Sequence, residues 1–188
     1  MALLILGVLL WSLTHLFPAL LPERRTRLFN DLGENKYKGI YSLFILAGLV
    51  LIIVGWRSIT PTGVYAPPMA ANLLISLLVL AAMVLFAASA IPGNIRRYVR
   101  HTQMAAVILW GVSHLLTNGS NRAIVLFGGL TLWAVLEIVL CNKRDGQWDR
   151  PAKAAMKYDA ITVLAGAVVF AVLVYFHQSL FGVDAIPT

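Results

Sequence analysis

The chain has 188 residues, 60% of them hydrophobic and 12% charged, with a mean hydropathy of +0.81. A soluble domain carries about 25% charged residues, so this composition excludes an ordinary soluble fold and indicates an all-α, polytopic membrane bundle in a single domain, residues 1–188. The net charge of +7 is explained by membrane topology and by anionic headgroups, which removes nucleic acid as an expected partner.

Six apolar segments follow one another at residues 2–20, 40–56, 71–91, 103–117, 123–141 and 160–176. Because about 20 residues cross a hydrocarbon core of roughly 30 Å, they are expected to be six transmembrane helices, the short fourth one extending to include Arg100 and Asn118. The first segment has no basic residues before it and no small-x-small site after it, so it is expected to be a membrane helix and not a signal peptide. The second loop, 58–68, contains Pro61, Gly63, Pro67 and Pro68, which exclude helix there.

Basic residues set the orientation. Arg24, Arg25, Arg27, Lys36 and Lys38 fall in the first loop, Arg96, Arg97 and Arg100 in the third, and Lys143, Arg144, Arg150, Lys153 and Lys157 in the fifth. Only Arg57 and Arg122 remain for the second and fourth. The positive-inside rule then makes the odd loops cytoplasmic and both termini outside. Cys141 is the one cysteine, so no intramolecular disulfide forms and a free structural thiol is expected.

The chemistry concentrates between Arg100 and Glu137. Trp110 and His114 are four residues apart and share a helix face, and an imidazole within a membrane segment has a functional reading by default. Glu137 lies in the apolar run LTLWAVLEIVLC, where an ionised carboxylate must pair, protonate or snorkel; a partner such as His101 is one reading, and a proton-handling or substrate-orienting role is the other. His101 follows Arg96, Arg97 and Arg100 at the cytoplasmic boundary, where it is expected to be an interfacial residue, while these arginines also offer donors to a carboxylate group. Trp11, Trp110 and Trp133 are expected to pack, with cofactor-edge contact as the alternative, and His177 is expected near water at the outer end of the last helix. Gly128 and Gly129 are expected to permit close helix packing. No Cys-x-x-Cys, phosphate-cradling glycine loop or acyl-transfer constellation occurs, which excludes the usual soluble-enzyme mechanisms.

Leu10-Trp11-Ser12-Leu13-Thr14-His15-Leu16 is echoed by Leu109-Trp110-Gly111-Val112-Ser113-His114-Leu115 on a helix running the opposite way. A three-plus-three inverted repeat and coincidence in leucine-rich sequence both account for the echo. At 1.5 Å per residue each histidine lies roughly 20 Å from its own membrane entry, which separates the two by about 10 Å along the normal. A small ion bridging both rings directly would need helix boundaries shifted by several residues.

Arg100-His101, Leu109-Trp110, His114-Leu115, Asn118-Gly119, Leu126-Phe127-Gly128-Gly129 and Trp133-Ala134-Val135-Leu136-Glu137 resemble the NnrU family of bacterial inner-membrane proteins. The resemblance continues at His15-Leu16 with Pro18-Ala19 and at Leu32-Gly33-Glu34. The family is named for denitrification, its members being associated with expression of nitrite and nitric oxide reductases, and it shares features with the zeta-carotene isomerase of plants and cyanobacteria. That resemblance implies b-type haem, with His15 and His114 as the metal ligands and His101 as a further family histidine. The cofactor-binding set is then His15, His114, His101, Arg100, Trp110 and Glu137. Gly111 stands where the isomerase has a cysteine tied to haem switching, and Thr102 replaces a proline.

Two functional classes follow. One is a haem protein of the bilayer with isomerase-like or redox activity, acting on a small hydrophobic substrate or with a redox partner. The other is a cofactor-free transporter, or an accessory factor for assembly or expression of the reductases. The topology is tested by fusing a reporter active only in the cytoplasm: it should be silent at Thr188 and active near Gln147, and the opposite pattern would reverse the orientation.

Overall fold

The computed structural model describes all residues except 69–71, 184 and 186–188, so the expected start of the third segment at Ala71 lies outside the described residues. Seven helices are assigned here: α1 (Ala2–Leu20), α2 (Pro22–Leu32), α3 (Glu34–Arg57), α4 (Asn72–Ala90), α5 (Thr102–Thr117), α6 (Asn121–Asp145) and α7 (Met156–Phe181), with a 3-10 turn at Asn94–Arg97 between α4 and α5. Among the described residues the only extended pairing is an isolated bridge between Gly63 and Ser120. The fold is a helical membrane bundle. α1, α3, α4, α6 and α7 are long and apolar enough to cross a membrane, and α5 is a shorter apolar helix.

Two expected boundaries are corrected. α5 begins at Thr102 and ends at Thr117, leaving Arg100, His101 and Asn118 outside the helix; its 16 residues rise about 24 Å. The first loop is itself helical. Pro22 opens α2 at the first helical position, where its missing N–H costs no bond, and α3 starts at Glu34, six residues before its apolar run. Hydropathy detects what lies in lipid, and charged residues such as Glu34 and Lys38, paired one turn apart, are good helix formers that it passes over. Gly33 joins α2 to α3 at φ 76°, a left-handed value that explains a glycine there.

The chain forms two compact units. The first is Met1–Ala66 with Asn118–Gly146, and the second is Pro67–Thr117 with Gln147–Thr188. Each unit takes helices from both halves of the sequence: α1, α2, α3 and α6 in the first, α4, α5 and α7 in the second.

In the first unit, α1 packs chiefly on α3 and also on α6. The α1–α3 seam runs through glycines. A Cβ at Gly7 would lie 2.6 Å from the Ile52 nitrogen, one at Gly48 3.0 Å from the Trp11 nitrogen, and one at Gly55 would collide with the Leu4 backbone. The glycine pair on α6 divides in role: a Cβ at Gly129 would come 2.7 Å from Val8 Cγ1, whereas Gly128 has nothing within 4 Å. Arg25 of α2 lies over the Phe29 ring and the Tyr37 ring, which ties α2 to the start of α3.

In the second unit, α4 packs on both α5 and α7, and a Cβ at Gly166 would fall 2.6 Å from Val84 Cα. The most deeply buried residues are small: Ala82, Ala88, Ala106, Ser113 and Thr162 are all at most 1% exposed. Large apolar side chains face outward, with Leu73 71% and Leu164 66% exposed, as lipid permits. The Ser113 and Thr162 hydroxyls satisfy themselves on the carbonyls of Leu109 and Tyr158, four residues back. Below the helices, Asn94 makes a polar lock. Its backbone N–H and its side-chain amide donate to the two Asp159 oxygens at 2.6 Å, and its side chain exchanges bonds of 2.9 Å with the N–H and C=O of Ala154.

Gly55→Ile should destabilise the protein by about 1–3 kcal/mol, because α1 and α3 must separate to admit the side chain. Gly39→Ala, at a site with nothing within 4 Å, should show no loss. Thermal unfolding in detergent measures both, and equal behaviour would remove the seam from the account.

Candidate functional site

His15 follows Gly7 of the glycine seam by about two turns of α1, so the close α1–α3 and α1–α6 approach fixes what surrounds it. Its Nδ1 lies 2.8 Å from the Trp11 carbonyl oxygen. A carbonyl only accepts, so Nδ1 is the donor here, and in the neutral ring Nε2 is then the nitrogen with the lone pair. Trp11 and Trp133 lie against the imidazole at ring-centroid distances of 4.5 and 5.0 Å, and Tyr41 of α3 meets it at 6.3 Å. Pro18, three residues on, cannot donate to the Thr14 carbonyl, so the backbone beside His15 lacks one helical bond.

His114 repeats this local geometry in the second unit. Its Nδ1 is 2.8 Å from the Trp110 carbonyl and its ring is 5.1 Å from the Trp110 ring. The sequence echo between α1 and α5 is thus also an echo of hydrogen bonding. His177 lies within electrostatic range of His114 and bonds through Nδ1 to the Val183 carbonyl at 2.7 Å, so it belongs to the surroundings of His114. Sequence spacing gave no sign of this, because 63 residues separate them and only the α4-centred packing of α5 and α7 brings them near.

Glu137 is bonded locally. The Cys141 thiol donates to its Oε1 at 3.5 Å, one turn along α6, and Tyr41 lies within its electrostatic range. The thiol is thus one partner of the carboxylate, four residues along the same helix. The other carboxylate oxygen, Oε2, is buried without a partner among the described residues, as are Trp11 Nε1, Trp133 Nε1 and the Tyr37 hydroxyl. The Tyr37 and Tyr41 rings stack with centroids 6.1 Å apart. The first unit thus gathers His15, two indoles, two phenols and a carboxylate around α1, a set of proton donors and acceptors in apolar surroundings. Tyr37 and Tyr41 were missed in the sequence, although their four-residue spacing places them on one face of α3.

His101 and Arg100 occupy the turn before α5 and are half-buried. Arg122, assigned by sequence only to a loop, holds the end of α3: its guanidinium donates to the Trp56 and Ile59 carbonyls at 3.2 and 3.3 Å and lies 4.2 Å from the Trp56 ring centroid. Carbonyls at a helix end have no intrahelical donor, which is what this arginine supplies. Among the described residues no cluster of three or more His, Cys, Asp or Glu side chains forms a metal-ion cage.

The family profile described as NnrU protein matches residues 3–185. The chain belongs to the NnrU family. Its last helix, recognisable in sequence only by hydropathy, falls within the match, and so do both tryptophan-histidine pairs of this NnrU protein. No curated protein and no solved structure matches the chain.

Trp133, 5% exposed, separates packing from polar roles in the first unit. Trp133→Ala should cost about 3–5 kcal/mol by leaving a cavity beside His15, while Trp133→Phe should keep most of the stability because a ring remains and a buried N–H without a partner is removed. Thermal melts of the two variants decide this; equal losses would show that the indole N–H has an essential acceptor.

Proposed function

We propose that this NnrU-family protein binds b-type haem within the bilayer through its intramembrane histidines, with His15 and His114 as iron ligands. The observation that supports this reading most directly is the shared tautomer. Each imidazole donates from Nδ1 to a carbonyl four residues back at 2.8 Å, which orients the ring and makes Nε2 the nitrogen that would face a metal. Histidines that bind metals are characteristically held in this way by their other nitrogen. The chemistry of the donors also fits the group: neutral imidazole is a good iron ligand, and the indoles of Trp11, Trp133 and Trp110 offer flat apolar surfaces beside it.

When bound, haem supplies an iron centre whose potential and reactivity follow its axial ligands and its exclusion from water. The protein's own contribution is to hold the ligand nitrogens, exclude water with apolar helices, and keep Glu137, Tyr37 and Tyr41 near His15 as groups able to accept or donate protons. Such a centre suits an isomerase-like or redox reaction on a small hydrophobic substrate, or exchange with a redox partner, in a role linked to denitrification. The bacterial inner membrane, with both termini in the periplasm, is the setting that the charge distribution favours.

Protein purified in mild detergent should show a haem Soret band, and His15→Ala and His114→Ala should each abolish or strongly shift it. His177→Ala should leave the band in place. Loss of the band in His177→Ala with His15→Ala unaffected would move the ligand pair into the second unit and overturn the role of His15. A wild-type preparation that neither carries haem nor takes it up would replace this reading with the cofactor-free accessory or transporter role.

A further inference from the structure

The lock around Asn94 has a second effect, which is electrostatic. Asn94 bonds to both backbone groups of Ala154, 60 residues away, at 2.9 Å. Arg96 and Arg97 follow Asn94 in the 3-10 turn, and Lys153 and Lys157 flank Ala154. The lock therefore gathers four cations at one end of the second unit. Asp159, the carboxylate within the lock, directs its oxygens to the Asn94 amides and the Ile95 N–H and makes no ion pair with these cations. Among the described residues none of Arg96, Arg97, Lys153 and Lys157 forms an ion pair, the ion pairs being Lys38–Glu34 and Arg144–Asp145.

Arg97 gives an independent indication. Its Nε is buried and has no hydrogen-bond partner among the described residues. A buried donor on a charged group is costly unless an acceptor meets it, so the half-buried Arg97 side chain gains by turning its guanidinium to an acceptor at the surface. The location favours one that comes from the membrane. The turn follows the end of α4, the loop leads directly into α7, and Tyr98 beside Arg97 is 79% exposed, as suits an aromatic ring at headgroup level. Clustered cations at the ends of membrane helices meet phosphate oxygens, and arginine binds these with parallel N–H bonds.

We infer that the cradle formed by the Asn94–Arg97 turn and the loop carrying Lys153 binds the phosphate of an anionic phospholipid, with Arg97 as its principal donor. The lipid then completes the hydrogen bonding of the second unit and neutralises the charge that the lock collects. This site does not depend on haem.

The test measures thermal stabilisation of the whole protein in neutral detergent on adding phosphatidylglycerol, phosphatidylcholine or inorganic phosphate, with native mass spectrometry counting retained lipid. Phosphatidylglycerol should stabilise the protein and phosphatidylcholine should not. Arg97→Gln and Lys153→Gln should each weaken the apparent affinity about fivefold, as expected for one basic residue at a membrane surface. Lys143→Gln, which removes an exposed cation from the first unit, should leave it unchanged. Asn94→Ala keeps every charge but undoes the lock, and it too should weaken binding. Equal stabilisation by the two lipids, or equal effects of the Arg97, Lys153 and Lys143 variants, would overturn the site. Stabilisation by inorganic phosphate equal to that by phosphatidylglycerol would overturn the lipid as its occupant. Lys153 is exposed, so its variant tests the site without disturbing the fold.

Discussion

In lipid the outward faces of a helix gain nothing by turning inward, so α1 and α3 are held together by how closely their backbones approach. Gly7, Gly48 and Gly55 make that approach, and a side chain at any of them would meet backbone atoms of the opposite helix. Dispersion between tightly apposed helices then replaces the hydrophobic effect as the source of cohesion. The consequence reaches the candidate site. Gly48 packs against the Trp11 backbone, so the seam that joins the helices also sets the register of Trp11 and, one turn later, of His15.

Around His15 the same constraint produces an environment that a loose bundle would not hold. Trp11 and Trp133 meet edge to face at 6.1 Å, and each lies against the imidazole. Trp133 reaches this position because α6 approaches α1 at Gly129. Burying an indole N–H or a carboxylate oxygen without a partner costs free energy, and several such groups occur in this one unit. Concentrated unpaired polar atoms beside an oriented imidazole are where a cofactor or substrate would recover that cost.

Polar interactions elsewhere hold the helix ends and the connections. Arg122 supplies donors to the end of α3, and Asn94 and Asp159 tie the turn after α4 to the start of α7. The Asn118–Asn121 turn is paired with the second connection in the same way: the Val64 and Asn121 N–H groups donate to the Gly119 and Thr62 carbonyls at 2.9 Å. Away from lipid these hydrogen bonds have water as a competitor, and their value lies in fixing geometry as much as in stability.

The sequence by itself determined the class of the molecule, because mean hydropathy and charge content measure directly which solvent a chain can tolerate, and it located the six apolar helices for the same reason. It also picked out His15 and His114 beside their tryptophans, since a four-residue spacing on a helix is a local relation that needs no fold to establish it. It missed α2, because an amphipathic helix outside the hydrocarbon leaves no hydropathy peak, and it did not single out Cys141 as a partner of Glu137, since a lone thiol one turn away is one of several neighbours on that face. Only the tertiary structure decided that α6 joins α1 and α3 while α4, α5 and α7 pack together, that Cys141 meets Glu137, that Tyr41 and Trp133 surround His15, and that Asn94 meets Asp159. These are contacts between segments far apart in sequence, or choices among neighbours on a crowded face. They depend on which glycines admit a close approach, and that depends on the facing helix as much as on the glycine itself.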